Sequence, residues 1–158
     1  MRPKRILEIG TGTGVQSIFL SYFIKNLIAL DNDRDVIRNS AQANIKHFRR
    51  KIDLLLVDAF SLPFKDKSLD ICYSQGFLEH FRNDEIVRLV NEQLRVSKLL
   101  IHSIPSDKYP IRQFGNERHL SLDVWYDILA NCHKHTEVEV KYGYFPLINW
   151  YIMIRMTA

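Results

Sequence analysis

The chain has 158 residues, 46% of them apolar and 25% charged, with a formal net charge of +4. A chain of this size forms one domain that buries about two thirds of its unfolded surface, and the composition excludes an intrinsically disordered or collagen-like chain. No apolar run is long enough for a membrane span, and Cys72, inside an apolar strand, and Cys132, near the end of a helix, read as small core residues rather than halves of a disulfide framework. No His, Cys or carboxylate cluster has metal-ligand spacing, so no metal is expected.

Met1 to Arg5 runs straight into the first apolar stretch, which leaves no room for a signal peptide and makes a cytoplasmic location the expectation. Ile6-Leu7-Glu8-Ile9 then meets Gly10-Thr11-Gly12-Thr13-Gly14, with Val15, Ile18, Phe19 and Tyr22 following at helical spacing. This reads as a strand turning into a helix around a nucleoside ligand. The glycines supply conformations barred to other residues and let the backbone approach the ligand. A dinucleotide fingerprint places its third glycine three positions after the second. That position is Val15 here, so the dehydrogenase reading is weakened.

The second apolar run, Leu27 to Leu30, ends in Asp31, about twenty positions after the first glycine, where a carboxylate accepts from both hydroxyls of a ribose. Asp31 could instead cap the next helix, but Asp33 is better placed, just before the periodic Val36, Ile37, Ala41 and Ile45. His47-Phe48-Arg49-Arg50-Lys51 reads as a solvated helix end whose cations complement the helix dipole, so nucleic acid is not an expected partner. The third run, Ile52 to Val57, ends in Asp58-Ala59 before a loop containing Pro63. Asp58 there serves either a ligand or the turn itself.

The fourth run, Leu69 to Ser74, leads into Gln75-Gly76-Phe77-Leu78-Glu79-His80-Phe81, and Ile86, Leu89, Val90 and Leu94 mark the next helix. The fifth, Leu99 to Ile104, contains His102, read as a core histidine, and is closed by Pro105. The excursion from Pro105 to His119 is longer than most connections and leaves at the edge where such sheets bind ligands. Tyr109, Glu117, Arg118 and His119 are its candidate substrate-facing residues; the alternative is a solvated loop with an internal Glu–Arg pair. After a helix carrying Leu122, Trp125, Tyr126 and Leu129, Val138, Val140 and Tyr142 alternate with charged residues. A further β-rich stretch runs from Trp150 to Met156, and the two joined through Gly143 and Pro146 predict an antiparallel hairpin. Strands alternating with helices predict an α/β fold, a parallel sheet with helices on both faces.

Taken in order, Glu8-x-Gly10-x-Gly12-x-Gly14, Asp31, Asp58-Ala59 and the segment from Ser74 to His80 resemble the class I S-adenosylmethionine (SAM)-dependent methyltransferases. The last segment is similar to the small-molecule branch called type 11, and the resemblance covers residues 5 to 96. It implies a Rossmann-like three-layer α/β/α sandwich with a seven-stranded, mostly parallel sheet in the order 3-2-1-4-5-7-6 and a C-terminal antiparallel hairpin. It implies SAM as cofactor and S-adenosylhomocysteine as product, held by Glu8, Gly10, Thr11, Gly12, Asp31, Asn32, Asp58, Ala59, Ser74, Gln75 and Gly76. Glu8 would contact the amino end of the methionine moiety or brace the glycine turn. Asp58 would accept from the adenine amine while the next backbone amide donates to the ring.

Two departures from the family's pattern stand out. Arg95-Val96-Ser97-Lys98 replaces the usual Lys-Pro-Gly-Gly turn before strand five, and residues 1–158 read as a single methyltransferase domain without the usual N-terminal helical extension. An open cofactor pocket is therefore expected. It would be closed by a second subunit in a homodimer, by an extension, or by the loop from Tyr109 to His119, whose Tyr109, Phe114 and Arg118 offer apolar cover and a cation. A sulfonium methyl needs no protein nucleophile, but a phenol or ammonium acceptor benefits from a base. His80 is the catalytic candidate, with a partly exposed histidine in a short helix as the alternative. No Asp/Asn-Pro-Pro-Tyr/Phe sequence follows strand four, which argues against the amino groups of adenine, cytosine or glutamine as acceptors. A small molecule offering O, N or C is the expected acceptor. A SAM-binding regulatory or scaffolding domain without turnover, or an RNA or protein methyltransferase, is the alternative.

Overall fold

The computed structural model describes residues 4–111, 115–133, 135, 137–142 and 151–158. Seven strands, β1 (Arg5–Ile9), β2 (Asn26–Asp31), β3 (Asp53–Leu56), β4 (Leu69–Gln75), β5 (Ser97–Pro105), β6 (Glu137–Tyr142) and β7 (Tyr151–Thr157), form one sheet in the order 3-2-1-4-5-7-6. The five strands from β3 to β5 are mutually parallel, while β7 pairs antiparallel with both β5 and β6. The expected topology and terminal hairpin are therefore present. Gly143, Pro146 and Trp150 of the hairpin connection lie outside the described residues.

Helices α1 (Val15–Leu20), α2 (Gln42–His47), α3 (Asn83–Val96) and α4 (Leu122–Ala130) connect the strands. A π-helical stretch, Val36–Ala41, runs without a break into α2. Asp33 starts it: its Oδ1 accepts from the backbone N–H of Asp35 and of Val36 at 2.7 and 3.1 Å, which leaves Asp31 out of the cap. Side chains alternate across a strand, so each strand feeds two layers. Leu7, Cys72, Leu100 and Ile154 join Ile86, Leu89, Val90 and Leu94 of α3 and Trp125 and Leu129 of α4 in the main core. The period read in α3 is thus its buried face. Around α1 the outcome differs: Ile18 is buried, but Val15 and Phe19 on the helix and Tyr22 just beyond its end are more than half exposed, since a helix of under two turns presents few positions to the sheet.

In the basic run that ends α2, His47, Phe48, Arg49 and Lys51 are exposed, as a solvated helix end predicts, while Arg50 has a structural task. Arg50 donates through Nε to Ser21 Oγ at 2.8 Å and through Nη2 to the Ser21 carbonyl, and lies 4.1 Å from the centre of the Tyr22 ring. It closes the C-terminal end of α1 rather than extending into solvent. No helix among the described residues is long and apolar enough to cross a membrane.

The departure before strand five proves to be a clamp, since α3 runs into β5 with no intervening loop. Arg95 pairs with Glu92 and Asp66, both at 2.7 Å, and donates to the carbonyls of Leu62 and Phe64 at 3.0 and 2.9 Å. Glu92 in turn accepts from the Leu62 N–H at 2.8 Å. The segment between β3 and β4 is thereby pinned to α3. Replacing Arg95 with Ala strips several partly buried acceptors of charge-assisted partners, and urea denaturation should show a loss of about 1–3 kcal/mol. An unchanged midpoint would show that the clamp contributes nothing.

Candidate functional site

The site lies at the carboxyl edge of the parallel strands, where β1, β2, β4 and β5 release their connections. After β1 the backbone passes through Gly10, Gly12 and Gly14, all at positive φ. Gly10 is at +67°, and a Cβ there would stand 2.4 Å from Cδ2 of Phe77, so the turn is built to let an aromatic ring close in. At Gly12 a Cβ would meet nothing within 4 Å. The two glycines thus differ: one faces a packed ring, the other open space.

Two carboxylates brace the turn. Asp31, at the end of β2, accepts from the Gly12 N–H at 3.0 Å through Oδ2 and from the Asp33 N–H at 3.1 Å through Oδ1. Each oxygen keeps acceptor capacity beyond these single bonds. Glu8, 3% exposed, accepts through Oε2 from the Thr11 hydroxyl at 2.9 Å and from that of Ser17, and burial raises its pKa above the ordinary carboxylate range. Glu8 thus braces the turn and also lines a cavity.

Two cavities meet at this turn, sharing Gly10, Gly12 and Gly76. The smaller, about 240 Å³, is lined by Asp31, Asn32, Asp58 and Ala59 and by the rings of Phe60, Phe77 and Phe81. Phe81 meets Phe60 edge-on with ring centres 5.8 Å apart and Phe77 at a tilt of 56° with centres 4.9 Å apart. Asp58 holds its own turn, accepting from the Phe60 N–H at 2.9 Å through Oδ1. The larger cavity, about 430 Å³, is lined by Glu8, Thr11 and Gln75 on the turn side, and by Glu79, His80, Tyr109, Glu117, His119 and Tyr151 across from it. Its size is that of an ordinary small-molecule site.

Most of the residues singled out from the sequence therefore come together, but two do not. Ser74 lines neither cavity; its hydroxyl bonds to Nδ1 of His102 at 2.8 Å in the core, because alternation along β4 turns it to the opposite face. His102 is the core histidine expected, kept neutral by burial that lowers its pKa to about 4. Arg118 also lines neither cavity. Its guanidinium donates to the Phe81 carbonyl and, at 2.6 Å, to Asn83 Oδ1, while its N–H donates to the Glu79 carbonyl at 3.0 Å, so it ties the long loop to the segment after β4. No Glu117–Arg118 pair forms; Glu117 Oε2 accepts instead from the Gly115 N–H at 3.0 Å. Phe114 lies outside the described residues.

Glu79 and Tyr151 are the site residues that sequence reasoning passed over. Glu79 is 2% exposed, its Oε2 has no hydrogen-bond partner among the described residues, and burial together with neighbouring Glu117 raises its pKa to about 7. Its signal was a charged residue beside Leu78 in a short apolar turn. Tyr151 comes from β7, which borders β5, and no local pattern distinguishes it from the other strand residues. His80 lines the cavity as expected, with Nδ1 2.9 Å from Asn116 Oδ1. Among the described residues no group of three or more His, Cys, Asp or Glu is arranged to hold a metal ion.

Comparison with known proteins agrees with this geometry. A family model described as a methyltransferase domain matches residues 7–99. A protein-L-isoaspartate O-methyltransferase of Nitrobacter winogradskyi is 36% identical over 61 residues, 38% of this chain and 28% of the relative. An uncharacterized protein of Haemophilus influenzae is 29% identical over 110 residues, 65% of this chain and 43% of the relative, so the chain spans less than half the length of the curated relatives it matches. Among solved structures, a SAM-dependent methyltransferase from Aquifex aeolicus superposes with a TM-score of 0.74 at 17% identity, covering 97% of this chain and 82% of that one. One from Methanosarcina mazei gives 0.73 at 20% identity, covering 99% and 93%. At these identities the structures speak for the fold, and the match across more than half the chain speaks for the family: this chain belongs to the type 11 methyltransferase-domain family.

Proposed function

We propose that residues 1–158 act as one domain that binds S-adenosylmethionine across the two joined cavities and transfers its methyl group to a small-molecule acceptor. The observation that carries this is the junction itself: a cavity with Asp31, Asp58 and three aromatic rings opens at Gly10, Gly12 and Gly76 into a second that is rich in carboxylates. The residues fit the ligand. Asp31 retains acceptor capacity for ribose hydroxyls, Asp58 and the Ala59 backbone flank a space suited to adenine, and the aromatic rings suit a flat base. Asn32 borders the ribose side. Glu8, Thr11 and Gln75 line the side where the methionine end would lie, and the open space at Gly12 admits close approach.

When bound, SAM supplies a methyl on a positive sulfur, which an acceptor atom attacks in line while the C–S electron pair stays with sulfur. The chain's own residues position the acceptor and exclude water. Tyr109, Glu117 and His119 of the long loop, with His80, wall the acceptor side of the larger cavity. Calorimetry should show S-adenosylhomocysteine binding, with Asp31→Ala weakening it by about 1–3 kcal/mol through two unsatisfied hydroxyls and a loosened Gly12. Absence of wild-type binding at high micromolar ligand would end this reading. Binding without methyl transfer to any of a broad acceptor panel would favour a regulatory domain.

A further inference from the structure

We infer that Ser17, on the buried side of α1, is a positioning residue of the cofactor site: together with Thr11 it ties one oxygen of Glu8, so that the other faces the larger cavity as an anion for the ammonium group of the methionine end. This adds a residue that touches no ligand itself, and it rests on the cofactor reading above.

The first observation is how the carboxylate is held. Glu8 Oε2 accepts from the hydroxyls of both Thr11 and Ser17. Oε1 carries neither bond and is not sealed in the core, so it opens to the cavity that Glu8 lines. A carboxylate fixed by two donors on one oxygen cannot turn, and it keeps the lone pairs of the other for a ligand donor. Ser17 is 0% exposed and lines neither cavity. A hydroxyl so placed acts through the group it bonds, which here is Glu8.

The second observation is what surrounds Glu8. Its neighbours across the sheet are Ala29 of β2 and Tyr73 of β4. Ala29 has no side-chain donor. Tyr73 brings a buried hydroxyl that completes no hydrogen bond among the described residues. Burial and then the Glu8 charge hold that phenol above its usual range, so it stays neutral. No cation among the described residues acts on Glu8. Burial therefore pushes the Glu8 pKa up, and hydrogen bonding pulls it back, the Ser17 hydroxyl ahead of those of Thr11 and Tyr73.

A donor that bonds the charged form lowers a carboxyl pKa, so its loss raises the pKa. In Ser17→Ala a larger share of Glu8 is then protonated at pH 6 than in wild type, and the two proteins converge as the pH rises. A protonated Glu8 gives an ammonium no charge to meet. Loss of packing alone, by contrast, weakens binding equally at every pH.

The test is calorimetry with S-adenosylhomocysteine at pH 6 and pH 8 on wild type, Ser17→Ala and Ser17→Thr, beside a carbon-13 NMR titration of the Glu8 carboxyl without ligand. Ser17→Ala should bind about fivefold or more weakly than wild type at pH 6, with a smaller deficit at pH 8. Ser17→Thr keeps a hydroxyl and should restore both affinities. The Glu8 carboxyl should titrate at higher pH in Ser17→Ala than in wild type. The analogue of S-adenosylhomocysteine that lacks the amino group should bind wild type and Ser17→Ala alike. A deficit equal at the two pH values, a deficit equal for the two ligands, or an unshifted carboxyl titration overturns the inference. Failure of wild type to bind S-adenosylhomocysteine strikes the cofactor reading, while the titration still decides whether Ser17 holds the Glu8 charge. Should Ser17→Ala fail to fold, Thr11→Ala, which removes the other donor to the same oxygen, carries the same comparison.

Discussion

Gly10→Ala should cost the folded protein about 2–5 kcal/mol. The backbone there sits at φ +67°, where an L-residue pays about 1–2 kcal/mol. The added Cβ would also stand 2.4 Å from Cδ2 of Phe77, and forcing a ring out of a packed position adds about 1–3 kcal/mol. Phe77 cannot yield freely, because it packs against Phe81 at 4.9 Å and both line the smaller cavity. Urea denaturation measures the loss, and Phe77→Ala in the same background should recover the packing share but not the backbone share. Gly12→Ala separates the two further: its φ is +52° with open space around the Cβ, so it should lose only the backbone share of stability while still obstructing S-adenosylhomocysteine. A Gly10→Ala protein with wild-type stability would mean that the turn is not packed as described.

The turn was legible in the sequence because its signal is local. Alternating glycines after an apolar strand have few other uses, Asp31 stood out by its distance from the first glycine, and Asp58 by the resemblance at the end of the third apolar run. Sheet order followed the same way, since alternating strands and helices admit few topologies and the resemblance chose among them. The face a side chain takes was harder to read. Ser74 sits one residue before Gln75, yet the strand sends Gln75 toward the cavity and Ser74 to His102. Arg118 sits between Glu117 and His119, which both line the cavity, but its long side chain reaches back to Phe81 and Asn83. A loop has no fixed period, so spacing could not sort these three. Glu79 and Tyr151 escaped for another reason: they meet only because β7 inserts between β5 and β6, a long-range pairing that no short pattern encodes.

That meeting has a thermodynamic consequence. Glu79→Gln should stabilise the ligand-free protein at pH 8 by about 1–3 kcal/mol, a few degrees in midpoint for a domain of this size. The folded pKa of Glu79 is raised from 4.5 to about 7, chiefly by burial and then by Glu117. A raised carboxyl pKa means that the native state binds the proton more tightly than the unfolded chain. The stabilisation is therefore complete below pH 4.5 and lost as the pH rises through 7. Gln carries no charge at any pH, so its advantage over Glu should be near zero at pH 4.5, grow between 4.5 and 7, and level off above. His102 works in the opposite sense, because its pKa is lowered from 6.5 to about 4 and stability falls as the pH drops through that window. Both proteins contain His102, so its contribution cancels in the difference between their thermal midpoints, which isolates Glu79. A difference that is flat with pH, or a Gln variant that is less stable throughout, would show that the carboxylate serves the fold. A difference that opens between pH 4.5 and 7 would mean that the native state holds this carboxylate at a cost, as its burial and the neighbouring Glu117 dictate.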